Sequence, residues 1–406
     1  MEQSSFKVYP YRWIVLIAFM AIVAVNQLLW ITFAAITSEA TQFYKVSELG
    51  IGLLSLSFMV VYLFASFPAS WVIDTYGIRV GVGIGAALTG IFGLVRGWVA
   101  PSYTWVLVAQ IAIAIGQPFL LNAITTIAAR WFPMEERATA SGLGSLAIYL
   151  GILTGLILTP YLALRSGMGG MLIAYGIAAV IAMLIFFALV RERPPSPPCS
   201  PEQEARSLML DGLTKMIRQR DFILLMVIFF VGLGAFNAIT TWIEQILRPR
   251  GFSAIQAGNI GGAMIFGGIL GALILPLLSD RFRKRVPFLV LAVIGATLGL
   301  VGITYVTSYA LLLVFAFIFG FFLLSAGPLG FQYGAEITHP APEGTSNGLL
   351  LLMGQISGIL FILGMDAFKS PKTGSMTMPL LVLIGLLVIC LFFSVRLREA
   401  LILKSQ

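Results

Sequence analysis

Apolar residues in this chain come in long blocks, not at the alternate or three-and-four spacing that marks a half-buried strand or a surface helix. A helix rises about 1.5 Å per residue, so roughly 20 apolar residues in a row reach across the hydrocarbon core of a bilayer. Blocks of that kind fall at 13–37, 49–73, 78–99, 103–129, 138–162, 170–190, 222–246, 254–278, 287–306, 309–334, 345–367 and 378–395. They predict twelve transmembrane helices and an all-α membrane protein. The one wide polar gap, 191–220, carries Pro194, Pro195, Pro197 and Pro198 amid dense charge. Proline lacks the amide proton that a helix interior needs. The gap therefore reads as a cytoplasmic linker between a six-helix bundle over 1–190 and a second over 221–406. Within it, 202–216 has a helix-like pattern that suits the membrane surface.

The two bundles repeat one another. Asp74-Thr75-Tyr76-Gly77-Ile78-Arg79 follows the second block, and Asp280-Arg281-Phe282-Arg283-Lys284-Arg285 follows the eighth, 206 residues later. Glu136-Arg137-Ala138-Thr139-Ala140-Ser141-Gly142-Leu143 opens the fifth block and Glu343-Gly344-Thr345-Ser346-Asn347-Gly348-Leu349 the eleventh, with their Gly-Leu pairs again 206 apart. Six spans per repeat is an even number, so the repeats run parallel, related by an axis along the membrane normal. Two pseudo-symmetric six-helix bundles are the arrangement of the major facilitator fold. The Asp74…Gly77…Arg79 turn also resembles that superfamily's loop motif between the second and third spans. The resemblance implies a gate of Asp74, Gly77 and Arg79, with Asp280 in the second copy, which lacks the glycine.

Composition agrees. Hydrophobic residues make up 59% of the 406 and charged ones only 10%, too few to clothe a soluble domain of this length. The net charge of +8 does not signal nucleic acid, because the cations sit in short gaps between apolar blocks. Placing both termini on one side gathers 18 of the 25 Lys and Arg residues there. By the positive-inside rule that side is cytoplasmic. The first block is too long for the apolar core of a cleavable leader. Cys199 and Cys390 imply neither disulfide nor metal framework, and the single histidine, His339, leaves little for metal or acid–base chemistry. No nucleophile–base or phosphate-loop pattern is present; Gly81-Val82-Gly83-Ile84-Gly85 lies inside an apolar block. The expectation is a monomeric multi-pass protein of the cell (inner or plasma) membrane. It takes a small-molecule substrate and has the lipid bilayer for surroundings. Neither cofactor nor metal is expected, and no enzymatic activity.

Longer stretches resemble the family named after the feline leukaemia virus subgroup C receptor, whose members are associated with choline, ethanolamine and haem. They are Tyr9-Pro10-Tyr11-Arg12-Trp13, Leu29-Trp30-Ile31, Gly116-Gln117-Pro118-Phe119, Trp131-Phe132 and Gly327-Pro328-Leu329-Gly330-Phe331, with Glu336-Ile337-Thr338-His339-Pro340 and the run from Glu343 to Phe361. The resemblance implies a cage for a quaternary ammonium built from Trp30, with Gln117 and Gln355 beside it. The family's seventh-span tyrosine matches Asn237, next to Phe236, and Phe236 or Trp242 could offer the second aromatic face. The residues by themselves leave packing and interfacial roles open. Trp30 lies about 26 Å along its block, and Gln117 is a mid-span amide that must face a partner or a cavity. Tyr149 stands 206 residues before Gln355, and Asn26 and Asn122 are further in-span amides. Arg96, Glu39, Glu244 and Asp366 fall near span ends, where they are expected to reach water. Glu244 and Asp366 are candidates for cation entry or coupling. The leading expectation is a carrier working by alternating access, with a proton-coupled antiporter for drugs or metabolites as the alternative within transport. A receptor or sensor without flux is the alternative from another class.

Overall fold

The computed structural model describes residues 8–133, 136–196, 216, 218–338 and 343–399. Most of the expected linker, including 202–215, therefore lies outside the described residues. All regular structure among them is helical, and the chain divides into two compact units, Met1–Arg206 and Ser207–Gln406.

In the first unit α1 spans Tyr11–Ile31, α2 Thr37–Tyr44, α3 Glu48–Tyr76, α4 Ile78–Trp98, α5 Tyr103–Leu121, α6 Ile124–Trp131 and α7 Arg137–Leu189. In the second, α8 spans Arg220–Thr241, α9 Ile243–Leu247, α10 Ala254–Phe282, α11 Val286–Tyr305, α12 Tyr309–Thr338, α13 Glu343–Ala367 and α14 Thr377–Val395. Eleven helices among the described residues are long and apolar enough to cross a membrane. The longest, α7, has 53 residues and is interrupted at Gly167, whose φ of 67° and ψ of 177° leave the helical region. Its two arms are the fifth and sixth spans, which brings the count to the expected twelve.

Three blocks do not run straight as the apolar pattern suggested. The first stops at Ile31, turns, and resumes as α2; the fourth breaks at Asn122 and Ala123; the seventh breaks at Trp242. Proline at Pro118, four residues before the second break, leaves one carbonyl without its helical partner.

Packing repeats between the units. In the first, α1 and α4 pack on the two arms of α7, and α5 packs on α3 and α4. In the second, α8 packs on α13, α11 on α14, and α12 on α10 and α11, the same pairs one repeat later. Small residues let these backbones meet: a Cβ at Gly151 would stand 2.0 Å from the Ala24 carbonyl oxygen. Bulky apolar side chains such as Phe64, Phe67, Leu164, Leu277 and Phe392 are exposed. Water would penalise that surface and hydrocarbon does not. This is a multi-pass membrane protein.

Candidate functional site

In the first unit Trp30 sits in the last turn of α1 and is 5% exposed. Its indole N–H donates to the Ser55 carbonyl of α3 (3.1 Å), and the Ser55 hydroxyl donates back to the Trp30 carbonyl (3.4 Å). With the N–H engaged, the ring has only its π-faces and carbon edge to offer. Gln117 in α5 is 6% exposed, and its side chain forms no hydrogen bond among the described residues. It follows a point where α4 and α5 approach closely: a Cβ at Gly85 would lie 2.8 Å from the Gly116 carbonyl oxygen. Tyr149 is half-buried in the fifth-span arm of α7, and no hydrogen bond ties it to Trp30 or Gln117.

The two other amides are used within the unit. Asn26 donates to Thr89 (3.0 Å) and accepts from Gln27 (3.2 Å). Asn122 accepts from the Tyr62 hydroxyl (2.8 Å) and donates to Ser66 and Ser70 (3.0 and 2.9 Å), tying the break in the fourth span to α3.

In the second unit Asn237 of α8 donates to the Gly354 carbonyl of α13 (3.2 Å), one residue before Gln355. The bond sets Asn237 against the turn of α13 that carries Gln355; Phe236 is buried and Gln355 is half-buried. Trp242 is a packing residue: it is 0% exposed, so its neighbours cover both ring faces, and its N–H donates to the Ile362 carbonyl (3.1 Å).

The charges expected at water divide. Glu39 is exposed and Asp366 is half-buried beside Lys369 (3.6 Å). Arg96 and Glu244 are not at water. Glu244 is 2% exposed, pairs with Arg248 at 3.7 Å and accepts from Gln245 (3.1 Å). Arg96 is 0% exposed, because a helix end predicted from hydropathy does not say which face the residue takes.

The loop motif holds Asp74 and Arg79 on either side of the turn at Gly77. Both side chains are exposed and unpaired among the described residues. The carboxylate that reaches the turn is Glu192, which accepts from the backbone N–H groups of Ile78 (3.0 Å) and Arg79 (2.7 Å) and pairs with Arg130. A helix N-terminus presents unpaired amides and a positive dipole end, so a carboxylate is stabilised there. Gly77 makes the room: its φ is 94°, and a Cβ would stand 2.3 Å from Glu192 Oε1.

The second copy builds the same device. Glu399 accepts from the N–H groups of Arg285 (3.1 Å) and Val286 (3.0 Å), at the N-terminus of α11. All three positions lie 207 residues after Glu192, Ile78 and Arg79. Here the arginine side chain also engages, pairing with Asp280 and with Glu336 (3.0 Å). Burial works to lower the Arg285 pKa, but Glu336 and Asp280 outweigh it and leave it raised. Sequence reasoning missed Glu192, Glu336, Glu399 and Ser55. An Arg-Glu pair closing each half, Arg191-Glu192 and Arg398-Glu399, was the available signal. Ser55 left none.

Known proteins share this architecture. The pattern of the Major Facilitator Superfamily matches residues 14–362. A solved bacterial homologue of the human lysosomal transporter Spinster superposes with a TM-score of 0.76 at 18% identity, covering 98% of this chain and 99% of that one. Solute carrier family 49 member A3 of Xenopus tropicalis is 31% identical over 91% of this chain and 80% of its own length. The choline/ethanolamine transporter FLVCR1 of Mus musculus is 29% identical over 95% of this chain and 75% of its own. With twelve spans in two repeated units, the superfamily pattern over 14–362 and relatives matching more than nine-tenths of it, the chain belongs to the Major Facilitator Superfamily of transporters, in the branch of solute carrier family 49 and the FLVCR proteins.

Proposed function

We propose that this secondary transporter carries a small organic cation of the choline or ethanolamine class by alternating access, with Trp30, Gln117 and Tyr149 of the first unit and Asn237, Phe236 and Gln355 of the second contacting it. The observation that supports this most is Trp30: a buried indole whose only N–H is already bonded can hold a solute through its π-face alone, which suits an ammonium group. Gln117 supplies an unpartnered amide, and relatives over most of the chain are named choline/ethanolamine transporters. Asn237 stands where the family has a tyrosine. One of its two amide N–H groups is spent on Gly354, which leaves its oxygen to accept from the hydroxyl that choline and ethanolamine share.

Uptake of radiolabelled choline and ethanolamine into proteoliposomes tests this. Trp30→Ala should raise KM more than Trp30→Phe, since a cation–π contact is worth about 0.5–2 kcal/mol and phenylalanine keeps part of it. Equal effects of the two changes would remove Trp30 from the site. Uptake should run down the substrate gradient without a pH gradient, Glu244 being salt-bridged to Arg248 and Asp366 to Lys369. Accumulation that requires a proton gradient and disappears in Glu244→Gln or Asp366→Asn would make it a proton-coupled carrier instead.

The reading includes a monomer in the cell membrane with both termini and the 191–220 linker cytoplasmic. Within each unit the cationic turn and the chain end that follows its last span lie together, through Glu192 in one and Glu399 in the other. An impermeant maleimide applied to intact cells should label Lys372→Cys in the exposed turn before α14 and leave the native Cys199 unmodified. Labelling of Cys199 alone would invert the topology.

A further inference from the structure

The last four carbonyls of a helix have no helical partner, and at the end of α1 the residues that carry them, Leu28 to Ile31, are all buried. At the end of α1 each finds a donor. Leu28 O accepts from the Thr32 hydroxyl (2.9 Å), Trp30 O from Ser55 (3.4 Å) and Ile31 O from the Ala34 N–H (3.0 Å). Leu29 O takes two donors, Arg96 Nη1 of α4 (3.0 Å) and Gln110 Nε2 of α5 (3.1 Å). Arg96 also donates to Gln110 Oε1 (2.6 Å) and Thr32 Oγ1 (3.3 Å), and its guanidinium lies 5.6 Å from the Phe33 ring centroid.

Satisfying these carbonyls does not by itself call for a guanidinium. Arg96 is fully buried, no carboxylate among the described residues pairs with it, and its Nε finds no partner. Tyr44 lies within electrostatic reach but is no counter-ion: burial pushes its hydroxyl up to about 12, against the lowering effect of Arg96, so it is neutral at physiological pH. A buried, uncompensated cation is costly. Nor does the repeat require it. The position 206 residues later is Gly302, so the second unit builds the same helix without a guanidinium.

We propose that Arg96, with Gln110, is a positioning residue for Trp30. Together they clamp the C-terminal end of α1 on the carbonyl next to the tryptophan, while Ser55 holds the indole from α3, so that the ring face stands in one orientation. The clamp is also favourable electrostatically, since a cation at a helix C-terminus faces the negative end of the helix dipole. The role in solute binding rests on the reading that Trp30 contacts the solute; the effect on the ring does not.

The test uses full-length protein labelled with 5-fluorotryptophan. Of the seven tryptophan resonances, that of Trp30 is assigned by its loss in Trp30→Phe. In Arg96→Met the Trp30 resonance should shift and broaden while those of Trp105 and Trp242 stay in place, and Arg96→Lys should return it part of the way. Gln110→Leu, which removes one donor and no charge, should move it in the same sense and serves if Arg96→Met does not fold. Choline is the transport probe. Arg96→Lys should raise its KM by about ten-fold, the loss of roughly one charged hydrogen bond, with kcat per folded transporter little changed. The double variant Trp30→Ala/Arg96→Lys should be no worse than Trp30→Ala, because residues acting through one contact do not add. A Trp30 resonance unmoved in folded Gln110→Leu and Arg96→Lys overturns the clamp. A choline KM indifferent to Trp30→Ala, with the resonance moving as expected, overturns the solute contact and leaves the clamp standing.

Discussion

Glu192→Ala should shorten the life of the folded protein in detergent more than substitution of the exposed Asp74 or Arg79 of the loop motif. Removing the carboxylate strands the N–H groups of Ile78 and Arg79 and leaves the half-buried Arg130 guanidinium without its partner. Hydrogen bonds to a charged group are worth about 1.5–3 kcal/mol, and Glu192 is partly exposed, so a loss of about 2–3 kcal/mol is expected. Glu192→Gln keeps one acceptor and should lose less. Asp74→Asn, by contrast, alters an exposed and unpaired side chain and should change stability by less than about 0.5 kcal/mol. If Asp74, Gly77, Arg79 and Asp280 form the gate proposed from the loop motif, Asp74→Asn slows transport at unchanged protein level and substrate affinity. Thermal unfolding monitored by size-exclusion chromatography, run beside uptake, separates the two. Equal destabilisation by Asp74→Asn and Glu192→Ala would mean that the carboxylate at the turn has been misassigned.

Gly320→Val should abolish monodisperse protein altogether. At the crossing of α10 and α12 the two backbones touch: a Cβ at Gly320 would lie 1.7 Å from the Met264 carbonyl oxygen, and one at Gly271 1.8 Å from that of Phe321. A flexible side chain could swing away from such a contact, but a helix carbonyl cannot move without parting the helices. The penalty therefore exceeds the about 1–3 kcal/mol usual for overpacking, where side chains absorb the strain. Gly271→Val should fail in the same way. Gly327→Ala, lower in the same helix with open space around the new methyl, is the matched control and should express normally. Normal yield of Gly320→Val would show that the two helices do not approach this closely in the membrane.

The candidate site was legible in part. Trp30, Gln117, Asn237 and Gln355 could be named because unusual residues in apolar blocks stand out and because a family resemblance aligned them. Their surroundings could not. Whether Asn122 lines a cavity or ties α5 to α3 depends on Tyr62, Ser66 and Ser70, which lie more than fifty residues away. Trp242 was offered as an aromatic face, yet it is fully buried, with its N–H bonded to α13. Arg96 and Glu244 were read as reaching water because both stand near span ends, whereas each is buried against neighbours from its own unit.

By itself the sequence determined the number of spans, their repeat at 206 residues and the division into two bundles. These depend on sums over about 20 neighbouring residues and on motif spacing, which are properties of the chain before it folds. Tertiary structure decided where three of those spans break and which carboxylate caps each cationic turn. A break at Ile31 is tolerable only because Arg96, Gln110 and Ser55 arrive from three other helices to satisfy the carbonyls it frees. Glu192 reaches the turn at Gly77 only once α7 has packed along α4. Donors and acceptors that meet across helices leave no trace in local hydropathy, so only the packed fold could assign them.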